Sequence, residues 1–169
     1  PIREAIRMLE LEGLVIMVPR RGAQVAQITE KSMSDVLEVR CALDVLAVEL
    51  ACERITTEAV EELREACREF EKATNTKDVH VIAKADVAFH DIIFKAAGNP
   101  RLTQMINNLA EQMYRYRFEY IKDESQHQML VKEHCLICES IEKRDVEGAK
   151  EAIRKHIENQ ENSIIRQIR

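Results

Sequence analysis

From Thr29 to the C-terminus the apolar residues recur at three- and four-residue intervals, and the whole chain of 169 residues holds only four Gly and three Pro to interrupt them. That spacing commits the chain to amphipathic helices, because residues three and four apart share one helix face. Thr29 or Ser32 is placed to cap a helix that runs through Val36, Leu37, Val39, Leu43, Leu46, Ala47, Leu50 and Ala51 to about Arg54. Thr56 or Thr57 caps a second, which turns Val60, Leu63, Ala66, Cys67 and Phe70 inward. A third spans about Val79 to Ala97 and stops at Gly98-Asn-Pro100. A fourth runs from Arg101 to about Asp123, a fifth from about Gln126 to Lys143, and a sixth from Val146 to about Gln167. The expected fold is all-α, an antiparallel bundle of about six helices over residues 28–169.

Within the third helix, Asp86-Val-Ala-Phe-His90 puts a carboxylate and an imidazole four residues apart, neighbours on one face. His134 and His156 lie in the fifth and sixth helices, so three helices can point four metal-type ligands inward. Spacing alone leaves two readings open. A single histidine on an apolar face is most often a packed, hydrogen-bonded core residue. Against that, Asp86 in a helical core carries a heavy desolvation cost unless something pairs with it. His80 and His127 fall near helix starts and are expected to face solvent.

Five cysteines are an odd number, and no charged start followed by an apolar stretch marks an export signal, so reduced thiols are expected. Cys41, Cys52 and Cys67 fit small core positions. Cys135-Leu-Ile-Cys138 is a C-x-x-C, but without a second such pair its zinc or redox meaning stays open. No apolar run approaches the roughly 20 residues needed to span a bilayer, and a cytoplasmic protein with no membrane partner is expected. The net charge of −5 argues against generalised nucleic-acid binding, though not against a local basic patch.

Such a patch exists near the start. Residues 1–27 differ from the rest: a short helix over Pro1 to Gly13, with the Gly as its stop, is followed by two short strands, Leu14–Val18 and Ala23–Ala26, around Pro19-Arg-Arg-Gly22. A helix followed by a basic-tipped hairpin is the second half of a winged helix. The chain opens on Pro1 instead of Met, already in mid-helix, as a fragment lacking its first helices would.

Pro1-Ile-Arg-Glu-Ala-Ile, Leu9-Glu-Leu-Glu-Gly-Leu-Val and Pro19-Arg-Arg-Gly-Ala-Gln-Val resemble the recognition helix and wing of the GntR family of bacterial transcription regulators. The resemblance implies that Arg3, Arg20, Arg21 and Gly22 meet operator DNA. Arginines suit phosphates and guanine edges, and a glycine lets the backbone approach closely. Downstream, Glu38-Val-Arg40, Asp86-Val-Ala-Phe-His90, Ala97-Gly-Asn-Pro100, Glu133-His134 and Lys155-His156 are similar to the helical effector domain of the FadR subgroup, the FCD domain. In metal-containing members an Asp and three His at these positions bind a divalent ion. The resemblance therefore implies metal ligation by Asp86, His90, His134 and His156.

Three neutral imidazoles and one carboxylate suit zinc, with nickel or manganese as alternatives. The resulting net positive charge would draw a small carboxylate or hydroxy acid to complete the coordination shell. By the same resemblance Arg40 lines the effector pocket, where a guanidinium can hold a carboxylate by two parallel hydrogen bonds. The other reading of Arg40 is a salt bridge between helices. Asn107, Arg115 and Arg117 are further candidates on the fourth helix, while Tyr114, Tyr116 and Tyr120 spread around it so that at most two can face a pocket. An enzyme would need an open metal position, a general base and a means of stabilising charge, yet no H-E-x-x-H is present and nothing marks a base. The expectation is a ligand-responsive, homodimeric DNA-binding regulator, the competing reading being a metal-free bundle that only mediates dimerisation.

Overall fold

The computed structural model describes residues 1–168. Among them are eight α-helices and one two-stranded sheet. α1 (Ile2–Leu11) leads into a hairpin of β1 (Val15–Val18) and β2 (Gly22–Val25), antiparallel with Val15 opposite Val25 and Val18 opposite Gly22. Both ends of the hairpin tip bend through the left-handed region, Arg20 at φ 64° and Gly22 at φ 82°. α1 buries none of its residues, and Ile2, Met8 and Leu11 stand exposed.

The bundle begins with α2 (Glu30–Arg54), whose cap uses both residues that the sequence offers. Thr29 Oγ1 accepts from Ser32 N at 3.1 Å while Thr29 N donates to Ser32 Oγ at 3.2 Å, so two otherwise orphaned donors are satisfied together. α3 (Thr57–Thr76) is capped by Thr56, and α4 (Val79–Ala97) by Asp78, which accepts from two amides of the first turn. α4 stops at Gly98, which sits at φ +58° where a side chain would be strained. α7 (His127–Glu142) and α8 (Val146–Ile168) complete the bundle, preceded by a 3-10 turn over Glu124–Gln126.

The expected fourth helix is two: α5 (Pro100–Asn107) and α6 (Ala110–Ile121), separated by a bend at Asn108 and Leu109. No Gly or Pro announces this break. What it achieves is tertiary: α6 swings onto α4 and α8 and opens a cavity between itself, α2, α4 and α5. The bundle over 28–169 thus has seven helices among its described residues where six were expected.

α2 packs along α8 and α4, α3 lies against α4 and α7, and α7 pairs with α8. Their shared core includes Met33, Leu37, Phe70, Phe89, Ile93, Leu130, Ile137, Ile153 and Ile157, all almost fully buried. The turn into α8 is tied to the end of α2 by Arg144, whose guanidinium donates to the carbonyls of Cys52, Glu53 and Ile55. No described helix is long and apolar enough to cross a membrane.

Candidate metal centre

Four buried polar residues meet where α4, α7 and α8 converge. Asp86, His90, His134 and His156 are each at most 2% exposed, and one potential ligand atom from each lies within 4.8 Å of all the others. The three imidazole centroids form a nearly equilateral triangle, 5.4 Å from His90 to His134, 5.2 Å from His90 to His156 and 5.3 Å from His134 to His156. Asp86 Oδ1 is 3.1 Å from His134 Nε2, and Oδ2 is 4.0 Å from His90 Nε2. The sequence-predicted ligand set is therefore one cluster.

The surroundings hold each ring in place. His134 is wedged between Phe89, stacked at 4.3 Å, and Phe70, tilted at 4.2 Å. His156 Nδ1 lies 2.8 Å from Glu133 Oε2, and Asn159 Nδ2 donates to the other oxygen of that carboxylate at 2.6 Å. A carboxylate on one ring nitrogen leaves Nε2 as the coordinating atom, an arrangement common behind metal-bound histidines. Glu133 was visible in the sequence only as the neighbour of His134. Nothing in its spacing shows that it reaches across to α8.

Whether these residues fit an ion is tested by their hydrogen bonds. Neither ring nitrogen of His90 nor of His134 has a hydrogen-bond partner, the 3.1 Å approach to Asp86 lacking the required alignment. Orphaned polar atoms are costly in an apolar core and rare in native proteins. One nitrogen from each of these two rings, beside the Asp86 carboxylate, matches what a divalent ion needs. Burial alone would push Asp86 up, but Arg117 against it, with His134 and His90, holds it well below the usual carboxylate range. Burial pushes His90 well below, and His134 below, the usual imidazole value despite the neighbouring carboxylate. Asp86 is thus charged and His90 and His134 are neutral near pH 7, the protonation state that metal binding requires of them.

A cavity of about 400 Å³ adjoins the cluster and is walled by His90 at its inner end. All three expected effector residues, Arg40, Asn107 and Arg117, line it, as does Tyr114. Arg117 reaches back to Asp86 Oδ2 through Nε. Arg40 is only 4% exposed and already engaged: Nε donates to Asp44 Oδ2 at 3.0 Å and Nη1 to Gln160 Oε1 at 2.7 Å. The salt bridge between helices is therefore not what forms: Arg40 pairs with Asp44 inside α2, reaches α8 only through the amide of Gln160, and still lines the cavity wall. Asp44, four residues on from Arg40, is its neighbour on the same helix face, a local signal that the sequence carries. Gln160 gave no signal.

Other expectations fare differently. Arg115 lies outside the cavity, in grooves beside the hairpin and the end of α8. Of the tyrosines only Tyr114 lines the cavity; Tyr116 donates to Ser32 O and Tyr120 is buried. His80 is exposed, against Phe118, as expected. His127 is not: it is buried, with Nε2 2.8 Å from Ile121 O, because the preceding 3-10 turn folds its ring back over the end of α6. Arg3 is exposed on α1, and Arg20, Arg21 and Gly22 are exposed at the hairpin tip, well apart from the cluster in the chain.

The family model of the FCD domain matches residues 35–159, most of the chain. The chain belongs to the FCD domain family. Relatives along almost all of it carry the names of transcription regulators. HTH-type transcriptional repressor RspR of Escherichia coli is 26% identical over 169 residues, covering 100% of this chain and 74% of the relative. HTH-type transcriptional repressor GlaR of the same organism is 28% identical, covering 93% and 75%. Among solved structures, McbR/YncC of Escherichia coli superposes with a TM-score of 0.87 at 20% identity, covering 98% of this chain and 83% of that one. A GntR family regulator from Pseudomonas syringae gives 0.67 at 20% identity, a likeness of fold. The FCD protein is a GntR-type transcription regulator with an effector-binding helical domain, not an enzyme.

Proposed function

We propose that the helical domain, residues 28–169, binds a divalent transition metal through Asp86, His90, His134 and His156 and senses a small carboxylate or hydroxy acid beside it. The observation that carries this reading is the cluster of four buried ligand atoms within 4.8 Å, with both nitrogens of His90 and His134 unpartnered. Zinc suits the set best, with nickel or manganese as alternatives. When bound, the ion would supply positive charge and coordination positions at the inner end of the cavity.

The chain's own residues then select the ligand. Arg117 presents a guanidinium between Asp86 and the cavity, Asn107 offers an amide from α5, and Arg40, paired with Asp44, offers its remaining N–H donors from α2. Leu43, Phe94, Ile106 and Met113 give the cavity apolar walls, so it favours a compact acid with some hydrocarbon. Residues 1–27 act as part of a winged helix that places Arg3, Arg20, Arg21 and Gly22 on operator DNA. Two copies in the cytoplasm pair so that two such heads meet two half-sites. An acid that binds one placement of the heads more tightly than another shifts operator affinity by the same difference.

Elemental analysis of protein prepared without chelators or tags, beside Asp86→Ala and His134→Ala variants, tests the metal. About one equivalent in the parent and little in the variants is expected. A parent that stays metal-free after reconstitution would return the histidines to core packing. A thermal-shift screen of small carboxylates on the loaded protein then tests the acid.

A further inference from the structure

Behind His134 lies a second chemical feature. Cys135 Sγ on α7 is 3.5 Å from Cys67 Sγ on α3, although 68 residues separate them in the chain. Cys67 is buried and Cys135 half-buried, both as free thiols. Cys138, one helical turn beyond Cys135, is also buried and free. Two sulfurs facing each other across a helix pair need to approach only to about 2.05 Å to bond.

We propose that Cys67 and Cys135 form a reversible disulfide under peroxide, clamping α3 to α7 and weakening metal binding at the neighbouring cluster. The half-buried Cys135 is the sulfur that peroxide reaches. Its sulfur attacks one peroxide oxygen, the O–O bond breaks, one water leaves and a sulfenic acid remains. Cys67 sulfur then attacks the sulfenic sulfur, the S–O bond breaks, and the departing hydroxyl takes the Cys67 proton as a second water. Two thiols are oxidised by two electrons and one peroxide is reduced to two waters. Burial raises the Cys67 thiol and so leaves little thiolate, but its sulfur already stands 3.5 Å from that of Cys135, and this proximity drives the second step.

The consequence for metal rests on the metal reading above. Cys135 is the chain neighbour of His134, and Phe70, one turn beyond Cys67 on α3, packs on the His134 ring at 4.2 Å. Closing the sulfurs by roughly 1.5 Å therefore moves both the ligand and its wall. Metal–ligand bond lengths stay within about 0.2 Å of their ordinary values, so a shift of either element strains the site.

Peroxide treatment of the full chain, followed by peptide mapping without reduction, reads the bond directly. A Cys67–Cys135 cross-linked peptide is expected, absent from Cys67→Ser and Cys135→Ser and retained in Cys138→Ser. A Cys135–Cys138 or intermolecular link in its place, or three intact thiols after excess peroxide, would overturn the disulfide. Zinc competition with a chromophoric chelator, before and after oxidation and again after thiol reduction, reads the coupling. A fall in affinity of about tenfold, reversed by reduction and absent from Cys67→Ser, is expected. An oxidised protein that holds zinc as tightly as the reduced one overturns the coupling. If neither form binds zinc, the metal reading and the coupling fall together while the mapped disulfide stands.

Discussion

Glu133 on α7 holds His156 on α8, Oε2 to Nδ1 at 2.8 Å, and Asn159 one turn along α8 fixes the same carboxylate from the other side. This pairing decides which nitrogen of His156 is available and orients its ring toward His90 and His134. Replacing Glu133 by Gln keeps the size and some hydrogen bonding but removes the charge that makes the imidazole a stronger donor. Zinc affinity should fall about 10- to 100-fold. Chelator competition checks this, with far-ultraviolet circular dichroism showing that the bundle is retained. Unchanged affinity would mean that His156 is not a ligand.

The pH response of the metal-free protein follows from the two depressed histidines. Burial keeps His90 and His134 neutral in the folded state to below their unfolded value of about 6.5. Below that value the unfolded chain binds more protons than the folded one, so stability falls as pH falls. Each group steepens the fall by up to about 1.4 kcal/mol per pH unit. Asp86, held low mainly by Arg117 against its burial, adds loss of the same sign only at more acid pH. Asp44, raised by burial, opposes it, gaining a proton on folding above the usual carboxylate range. Urea unfolding of metal-free protein between pH 7 and 5 should show the decline, and His90→Gln should flatten it. A flat parent profile would show that these rings are not buried neutral.

Arg40 and Asp44 are both almost fully buried and bound to each other at 3.0 Å. Cutting Arg40 to Ala strands a carboxylate in the core and leaves Gln160 Oε1 without its donor. The cost should be about 3–5 kcal/mol, far more than a residue serving only as a ligand clamp would show. Arg40→Met combined with Asp44→Leu should recover most of it, since replacing a buried pair by apolar groups of similar volume is often neutral. Denaturant titrations of the parent and the two variants decide the matter. A single-variant loss below 1 kcal/mol would make Arg40 mainly a cavity residue.

Much of this was legible in the sequence, for reasons that also mark where legibility stops. α2, α3, α4, α7 and α8 were read to within a few residues because their apolar periodicity and caps are local signals. Asp86 and His90 share a face by helix geometry alone. Bringing His134 and His156 to them took the family resemblance as well. The bend between α5 and α6, by contrast, lies at Asn108 and Leu109, residues with no breaking tendency strong enough to notice. Packing of α6 against α4 and α8 imposes it. Glu133, Gln160 and the Cys67–Cys135 approach depend on which helices become neighbours, and that information is tertiary.

Arg117 and a bound ion would serve Asp86 in the same way, and this makes their energies separable. Without metal, Arg117 is the positive charge nearest the buried carboxylate. Arg117→Met retains most of the side chain's bulk and leaves Asp86 without that partner, so the metal-free variant should lose about 3–5 kcal/mol. Zinc at a hundredfold excess over its dissociation constant should stabilise the parent by about 2.7 kcal/mol, a rise of roughly 5–10 °C in Tm. In the variant, the ion supplies the missing counter-charge as well, and its proton-free carboxylate is no longer shared with a guanidinium. The zinc-induced rise should therefore be larger in Arg117→Met than in the parent, while any response to a small carboxylate should shrink. Differential scanning calorimetry with and without zinc measures both. An equal or smaller zinc response in the variant would mean that Asp86 answers to Arg117 alone and takes no part in holding an ion.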